Sequence, residues 1–343
     1  MQKLALACFA LATPAIAGAQ WTYVSSGTTA ELRGLSVVND RVVWTTGARG
    51  TFLLSLDGGR SWKADSVPGA TTLDLRAVHG VNGAQAFVAS AGEAEKGLAK
   101  IFSTGNAGRA WELVYSTEQK GVFLDAIAFW DARHGIALSD PVDGAFVLLT
   151  TDDGGQTWSR MPAERLPRVL PGEAAFAASG SSLVVHGGSR VWIGTGGGGR
   201  ARVMHSADRG RTWIVSEAPV HAEGGGAGIF AVAFFDERRG VAVGGDYTKP
   251  ALAATSVALT QDGGRTWQPA ASPPHAYLSG VSYAGSAGNL VAVGLAGTFV
   301  SRDSGQTWMQ RDTIALNAVR FSGTTGVAVG PRGRIARTNG VVP

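Results

Sequence analysis

The chain has 343 residues, of which 45% are hydrophobic and 16% charged, so it is a folded protein and not a disordered one. Glycine supplies 49 residues without a three-residue period, which excludes a collagen-like chain. The low charged fraction argues against long surface helices and coiled coils. The formal net charge of +4 comes without the basic tract that is typical of nucleic-acid-binding proteins.

Residues 1–19 have the features of a secretory signal peptide. A positively charged start is followed by a nine-residue apolar run, and small residues occupy the −3 and −1 positions before Gln20. The apolar run is too short for a permanent membrane span. We therefore expect cleavage near Ala19, export to the periplasm or the extracellular space, and a mature single domain of residues 20–343 that has lost the only cysteine, Cys8.

A repeat of the form Ser/Thr-x-Asp-x-Gly-x-Ser/Thr-Trp recurs along the mature chain. Its Asp and Trp positions are Asp57 and Trp62, Asp153 and Trp158, Asp208 and Trp213, Asp262 and Trp267, and Asp303 and Trp308. A decayed copy has Asn106 in place of the Asp, and half a copy at Thr338 lacks its Trp. Because Trp21 stands at the start of the mature chain, it can supply the missing residue and bring the repeats to seven.

Each repeat contains the same succession of short strands. A Leu-x-x-Val-like segment such as 75–78 comes first, a small-residue strand such as 290–294 follows, a third strand runs into the Asp-x-Gly turn, and the Trp begins a fourth. Four short strands without helical periodicity are typical of a propeller blade. We therefore predict an all-β fold, a seven-bladed β-propeller of four-stranded blades, whose ring is closed by the N-terminal strand at Trp21 joining the last blade. The Asp-x-Gly segments are predicted to be structural turns and not catalytic sites.

Loop length differs between the two faces of this predicted propeller. The Asp-x-Gly turns and the short turns between strands one and two share one face, whereas connections on the opposite face are expanded in blades two to five. Binding sites are usually built on such loops. Arg33, Arg76 and Asp125 follow the first residue of their inner strands, so we expect them near the channel mouth. The predicted binding residues are Arg33, Arg76, Asp125, Asp140, Asp143, Glu173, Arg200, Arg202, Asp246 and Tyr247.

Four loop carboxylates on this face, Asp140, Asp143, Glu173 and Asp246, leave three interpretations open. They can be solvated loop charges, ligands of a cation such as Ca²⁺, or groups for acid–base catalysis. No spacing matches an EF-hand, so the sequence assigns no metal, and it predicts no cofactor.

The repeated segments are the Asp-box, or bacterial neuraminidase repeat. Together with the Phe-Asp-x-x-x-Gly-x-Ala pattern of residues 235–242, they make the chain resemble the photosystem II stability/assembly-factor family of exported seven-bladed propellers. Segments 123–131, 139–143, 171–176 and 244–247 are similar to the non-photosynthetic bacterial branch, which is often labelled oxidoreductase or glycosyl hydrolase. The resemblance implies the propeller fold, and in the photosynthetic relatives the partner is a reaction-centre subunit during assembly.

The function predicted from the sequence is that of a binding or assembly-factor-like scaffold for an exported protein, a membrane-protein segment or a glycan. Oxidoreductase activity has no support, because the chain lacks a dinucleotide fingerprint, a haem motif, a thiol pair and a copper constellation. A nucleic-acid partner is not expected, and a closed ring needs no second chain, so a monomer is predicted. The alternative is a glycoside hydrolase that uses loop groups from the set Asp125, Asp140, Asp143, Glu173, Asp246 and Tyr247.

Overall fold

The computed structural model describes residues 21–252, 254–323 and 325–339, and the predicted signal peptide lies outside them. The described residues form seven four-stranded antiparallel sheets. No helix in this part of the chain is long and apolar enough to cross a membrane. The helical structure consists of short 3-10 turns at Ala94–Lys96, Ala163–Arg165 and Pro331–Gly333.

Strand β1 (Thr22–Val24) belongs to the last blade, and the following strands build blades 1 to 6 in chain order, from the innermost strand to the outermost. Blade 1 contains β2 (Leu32–Val37), β3 (Val43–Gly47), β4 (Thr51–Ser55) and β5 (Lys63–Ser66). Blade 2 contains β6 (Asp74–Gly80), β7 (Ala86–Ala91), β8 (Ala99–Thr104) and β9 (Glu112–Thr117). Blade 3 contains β10 (Leu124–Phe129), β11 (Gly135–Val142), β12 (Ala145–Thr151) and β13 (Ser159–Arg160). Blade 4 contains β14 (Leu183–His186), β15 (Arg190–Thr195), β16 (Arg202–Ser206) and β17 (Ile214–Glu217). Blade 5 contains β18 (Ala227–Phe234), β19 (Gly240–Asp246), β20 (Val257–Thr260) and β21 (Gln268–Pro269). Blade 6 contains β22 (Gly280–Ala284), β23 (Ser286–Gly294), β24 (Gly297–Ser301) and β25 (Met309–Asp312). Blade 7 contains β26 (Ala318–Ser322), β27 (Thr325–Val329) and β28 (Ile335–Asn339), with β1 as its outermost strand.

The seven blades form a closed ring. The inner strands β2, β6, β10, β14, β18, β22 and β26 each contact the next, and β26 contacts β2. Strand β1 pairs antiparallel with β28, with Thr22 opposite Arg337. The indole N–H of Trp21 donates to Thr298 Oγ1 of blade 6 at 3.0 Å. The predicted all-β propeller and its closure by the N-terminal strand are thus confirmed.

Each Asp-box forms the turn between the third and fourth strands of its blade. In blade 5, Asp262 Oδ1 accepts the backbone N–H groups of Arg265 and Thr266, both at 3.0 Å, and Oδ2 accepts the Thr266 hydroxyl at 2.7 Å. The Thr260 hydroxyl donates to Asp262 Oδ1 at 2.8 Å and accepts the N–H of Gly264 at 2.9 Å. One carboxylate therefore satisfies a whole turn of backbone donors. The same side chain to backbone bonds recur at Asp57, Asp153, Asp208 and Asp303.

The apolar core lies between adjacent blades. Between blades 2 and 3, for example, the rings of Phe87 and Phe129 stack with centroids 4.4 Å apart, and the box residue Trp158 meets Phe129 edge-on at 5.6 Å. Such contacts repeat around the ring, because each box tryptophan packs at the blade interface. The interfaces hold the blades in fixed positions, so the connecting loops are displayed on a rigid frame.

The two faces of the ring differ. The Asp-boxes and the turns between first and second strands lie on one face, which we call the box face. The connections between second and third strands, and those between blades, lie on the other, the loop-rich face. The connection from β13 to β14, residues 161–182, is the long insertion of this face.

Replacing Asp262 by alanine should lower the free energy of unfolding by about 1–2 kcal/mol, since several turn donors lose their acceptor. Partial burial raises the pKa of the Asp262 carboxyl, but hydrogen bonds from Thr266 and Thr260 outweigh this and lower it to about 2. This pKa lies below the ordinary value of 3.8. The stabilisation is therefore present at neutral pH and is lost as the pH falls through the range between these two values.

Urea unfolding at pH 7 and at pH 3 measures both effects. The matched control is Asp65→Ala, because Asp65 is exposed on β5 and its carboxylate accepts only a local bond from the N–H of the adjacent Ser66. If Asp262→Ala were no less stable than Asp65→Ala at pH 7, the Asp-box bonds would not contribute as described.

Candidate binding site at the channel mouth

The inner strands of blades 1, 2, 3 and 5 each contain a β-bulge near their first residue. A bulge re-aims a side chain out of the alternating pattern of the strand. The positions concerned form a ring at the channel wall on the loop-rich face, which we call the channel ring. Its bulged members are Arg33, Arg76, Asp125 and Phe230, and the same strand position is held by Ser182, Ser279 and Asn317 in the other blades.

Part of the β13–β14 connection crosses this end of the channel, and we call residues 176–181 the channel segment. The carbonyl of Ala178 accepts a hydrogen bond from Arg33 Nη1 of blade 1 at 3.2 Å. On another side of the ring, Ser179 Oγ donates to the carbonyl of Ser279 in blade 6 at 2.7 Å. A segment that enters from blade 4 and contacts blades 1 and 6 must span the channel. A ligand that approaches from the loop-rich face therefore meets this segment and the side chains around it.

Two channel-ring arginines remain partly exposed beside the channel segment. Arg33 Nη2 contacts Glu31 Oε1 at 2.5 Å, and 24% of the arginine side chain is exposed. Arg76 Nε donates to Asp74 Oδ2 at 2.7 Å, and 31% of its side chain is exposed. A guanidinium carries five N–H donors. Each group therefore keeps donors beyond its carboxylate partner and can bind a carbonyl or carboxylate of a ligand.

Asp125 and Asp140 lie close to each other near Arg76, but Asp125 is sealed inside the protein. Only 1% of Asp125 is exposed, and neither of its carboxyl oxygens has a hydrogen-bond partner among the described residues. Burial raises its pKa well above the ordinary range, the charge of Asp140 raises it further, and Arg76 opposes this. Burial also raises the pKa of Asp140 to about 6, although Asp140 Oδ1 accepts the N–H of Ala175 at 3.0 Å. Burial without a hydrogen-bond donor thus disfavours the charged form of Asp125.

Glu173 and Arg202, both expected to bind a ligand, instead bind each other. The Glu173 side chain is fully buried, and its Oε1 accepts hydrogen bonds from Arg202 Nε at 2.8 Å and from the Thr195 hydroxyl at 2.6 Å. Glu173 Oε2 accepts the N–H of Leu170 at 2.8 Å. The pair therefore fastens the β13–β14 connection to blade 4, and it supports the channel segment without facing a ligand.

The remaining predicted residues are dispersed over the loop-rich face. Arg200 pairs with Glu217 where both side chains are exposed. Asp143 occupies a hairpin turn at a φ of 55°. Asp246 is 5% exposed and accepts the N–H and the hydroxyl of Thr248 at 2.8 and 2.6 Å, bonds that lower its pKa. Within the described residues, no three His, Cys, Asp or Glu side chains are grouped so as to hold a metal ion.

An aromatic cluster forms the side of the mouth that belongs to blades 5 and 6. Phe176 of the channel segment stacks on Phe230 with ring centroids 4.0 Å apart, and Tyr277 meets Phe230 edge-on at 4.8 Å. The ring centroid of Tyr247 lies 6.2 Å from that of Phe230, and Tyr247 is 52% exposed. Burial raises the pKa of the Tyr277 hydroxyl, while the charges of the two ring arginines lower it, so the aromatic and cationic groups adjoin.

Of these four aromatic residues, Tyr247 was predicted from the sequence, whereas Phe176, Phe230 and Tyr277 were not. The signal for Phe230 was present, because it follows the first residue of its inner strand as Arg33 and Arg76 do. Phe176 carries no such positional signal, since it lies in a connection whose path across the channel depends on distant contacts.

We expect the Asp125–Asp140 pair to make the protein less stable as the pH rises. Both folded-state pKa values are raised above the ordinary value of 3.8, so the folded protein holds protons that the unfolded chain releases. The stability is therefore fully present below about pH 4 and is lost as the pH rises through about 6. Asp140→Asn removes one titrating group while keeping an oxygen that can accept the Ala175 N–H, and it should reduce the loss by roughly 2–3 kcal/mol.

The measurement is denaturant unfolding at pH 4.5, 6 and 8. The control is Asp143→Asn, which removes one carboxylate from the exposed turn of the same hairpin. Equal pH dependence of wild type and Asp140→Asn would mean that this carboxyl titrates normally in the folded state.

Comparison with known proteins places this architecture among propellers. The family model of the BNR/Asp-box repeat matches residues 149–160. A structure of YCF48 bound to D1 peptide is 15% identical in sequence and superposes with a TM-score of 0.66 over 93% of this chain and 97% of that chain. YCF48 from Cyanidioschyzon merolae gives 15% identity and a TM-score of 0.63 over 93% and 98% of the two chains.

A propeller of another kind is also similar. The WD40 β-propeller domain of Doa1 has 11% identity and a TM-score of 0.61 over 93% of this chain and 96% of that chain. The comparison with curated proteins found no match. At these identities the structural likeness concerns the fold alone. The chain therefore contains an Asp-box repeat and has a seven-bladed β-propeller fold, and its likeness to YCF48 is a likeness of fold.

Proposed function

We propose that the protein is a binding scaffold that holds a segment of another protein at the channel mouth of the loop-rich face. The observation that carries this proposal is the pair of partly exposed guanidinium groups, Arg33 and Arg76, on the same face as an exposed aromatic residue, Tyr247. Arg and Tyr are enriched at the energetic centres of protein interfaces. The structure of YCF48 with D1 peptide gives further support, because a propeller of the same fold there has a peptide ligand.

The chemistry of the mouth suits an extended peptide. Arg76 uses Nε for Asp74, and its terminal nitrogens bond no other group among the described residues, so they are available to peptide carbonyls or a carboxylate. Tyr247 offers a ring face for an apolar side chain. The supporting groups are fixed by the Glu173–Arg202 pair and by the blade interfaces, which limits the entropy lost on binding.

A glycoside hydrolase is the weaker candidate. Such enzymes need two carboxyl groups that reach the scissile bond from opposite sides. Asp125 and Asp140 are neighbouring carboxyls of this face, but Asp125 is 1% exposed, so a sugar could not contact it in this structure. A glycan is the alternative ligand for the exposed groups of the mouth.

We further infer that the partner is an exported protein or a membrane-protein segment, because residues 1–19 have the sequence features of a secretory signal peptide. Mass spectrometry of the chain recovered from the producing cell tests this inference. The expected N-terminal residue is Gln20, and a mature protein that still contains Cys8 would contradict it.

Site-specific photo-crosslinking tests the proposed binding face. A photoreactive phenylalanine analogue placed at position 247 should crosslink a protein segment from detergent-solubilised envelope, and mass spectrometry identifies that segment. The matched control position is 235, because Phe235 is a similarly exposed aromatic residue on the box face. Crosslinks obtained equally from both positions, or from position 235 alone, would contradict the assignment of faces.

The identified segment is then synthesised, and its dissociation constant is measured by fluorescence anisotropy. Arg76→Gln should weaken binding about tenfold or more, which corresponds to a loss of about 1.4 kcal/mol. The control variant is Arg238→Gln on the box face, whose side chain bonds the carbonyl of Gln261. Unfolding curves of both variants confirm that any loss of binding is not a loss of fold.

A further inference from the structure

A second layer of side chains lines the central channel on the side of the box face. These residues stand three positions after the channel-ring residues in each inner strand. Three of the seven are alanine or valine, two are serine, and the other two are a histidine and an arginine; five of them are partly exposed. The layer consists of Ser36, His79, Ala128, Val185, Ala233, Ser282 and Arg320.

Arg320 is a charged side chain without a charged partner in this layer. Its Nη1 donates only long hydrogen bonds to backbone carbonyls, at 3.4 Å to Val281 and 3.3 Å to Val319. Across the described residues, no Asp or Glu oxygen lies within ion-pair distance of this guanidinium. Burial lowers its pKa to about 10, which still leaves the group fully charged at neutral pH.

The other polar members of the layer do not neutralise this charge. Ser36 Oγ accepts a hydrogen bond from the backbone N–H of Gly80, and Ser282 Oγ accepts one from the backbone N–H of Phe321, each at 3.1 Å. Both hydroxyl oxygens are therefore bonded to the neighbouring blade. Burial lowers the pKa of His79 to about 4, so this imidazole is neutral near pH 7. A charge withdrawn from water without a counter-charge is costly.

Arg320 is partly exposed, and its strand position places it on the box-face side of the channel. The channel segment closes the opposite end, where Ser179 bonds Ser279 and where Ser279 Oγ donates to the carbonyl of Asn317 at 2.8 Å. Arg320 lies three residues beyond Asn317 in β26, below this network. A group that reaches the guanidinium therefore does not compete with the ligand of the loop-rich face.

We propose that Arg320 binds an oxyanion, a carboxylate or a phosphate group, inside the channel. The planar guanidinium can donate two parallel N–H bonds to such a group. The other side chains of this layer carry no charge near pH 7, since His79 is neutral there, so a bound anion meets no competing carboxylate in the layer. This site is distinct from the proposed protein-binding mouth and does not depend on it.

Isothermal titration calorimetry with inorganic phosphate and with acetate, at constant ionic strength, tests the site. The variant Arg320→Met keeps most of the apolar stem and removes the charge, so it should fold and bind either anion at least tenfold more weakly. The matched control is Arg41→Met, an exposed arginine in a turn of the box face, which should bind as the wild type does. Wild-type protein that binds neither anion, or equal affinities of wild type and Arg320→Met, would overturn the proposal.

A second variant and a second probe keep the test decisive. If Arg320→Met does not fold, Arg320→Lys retains a cation but loses the planar pair of donors, and it should weaken the binding of both anions. Unchanged affinities for both anions would refute the site. A short peptide with a free C-terminal carboxylate is compared with its amidated form. Binding of the free form alone identifies a protein terminus as the source of the oxyanion, whereas binding of phosphate but of neither peptide identifies a free anion.

Discussion

The whole structure depends on how closely seven inner strands can approach one axis. An added Cβ at Gly228 of blade 5 would lie 2.5 Å from the Cα of Gly196, which follows β15 in blade 4, and one at Gly194 of blade 4 would lie 2.3 Å from Ile229 Cγ2 of blade 5. These contacts are far shorter than packed atoms allow. Small residues are therefore required where neighbouring blades meet, and bulky side chains at the channel are confined to the bulged positions and to the layer beneath them. The chemistry of the channel is concentrated at these positions for that steric reason.

The fold was predictable because its determinants are local. An Asp-box places its carboxylate within four residues of the N–H groups that it bonds, so the motif itself specifies the turn and the blade. Ring closure followed from counting repeats. The location of Arg33, Arg76 and Asp125 near the channel followed from strand position, although their pairing with other side chains did not.

The site was less predictable because its decisive contacts join distant parts of the chain. Arg33 bonds Ala178, and Glu173 bonds Arg202, across long connections without a repeat pattern. Contacts between distant residues also decide whether a charged side chain is available to a ligand. A loop glutamate such as Glu173 looks available in sequence, but in the structure it is buried in an internal ion pair. The repeat pattern does not predict a charged residue at position 320, because the other blades carry small or apolar residues and one histidine at this strand position.

The pairing of β1 with β28 ties completion of the fold to the order of synthesis. Thr22, near the first residue of the described chain, lies opposite Arg337, near the last, so the earliest strand made has the latest partner. Blades 1 to 6 can form one after another from neighbouring residues, but during that time the nascent protein is an open arc with two unprotected ends. A chain that stops before β28 leaves β1 without its neighbour and the indole of Trp21 without the seventh blade around it. Premature termination close to the C-terminus should therefore be as disruptive as loss of the first strand.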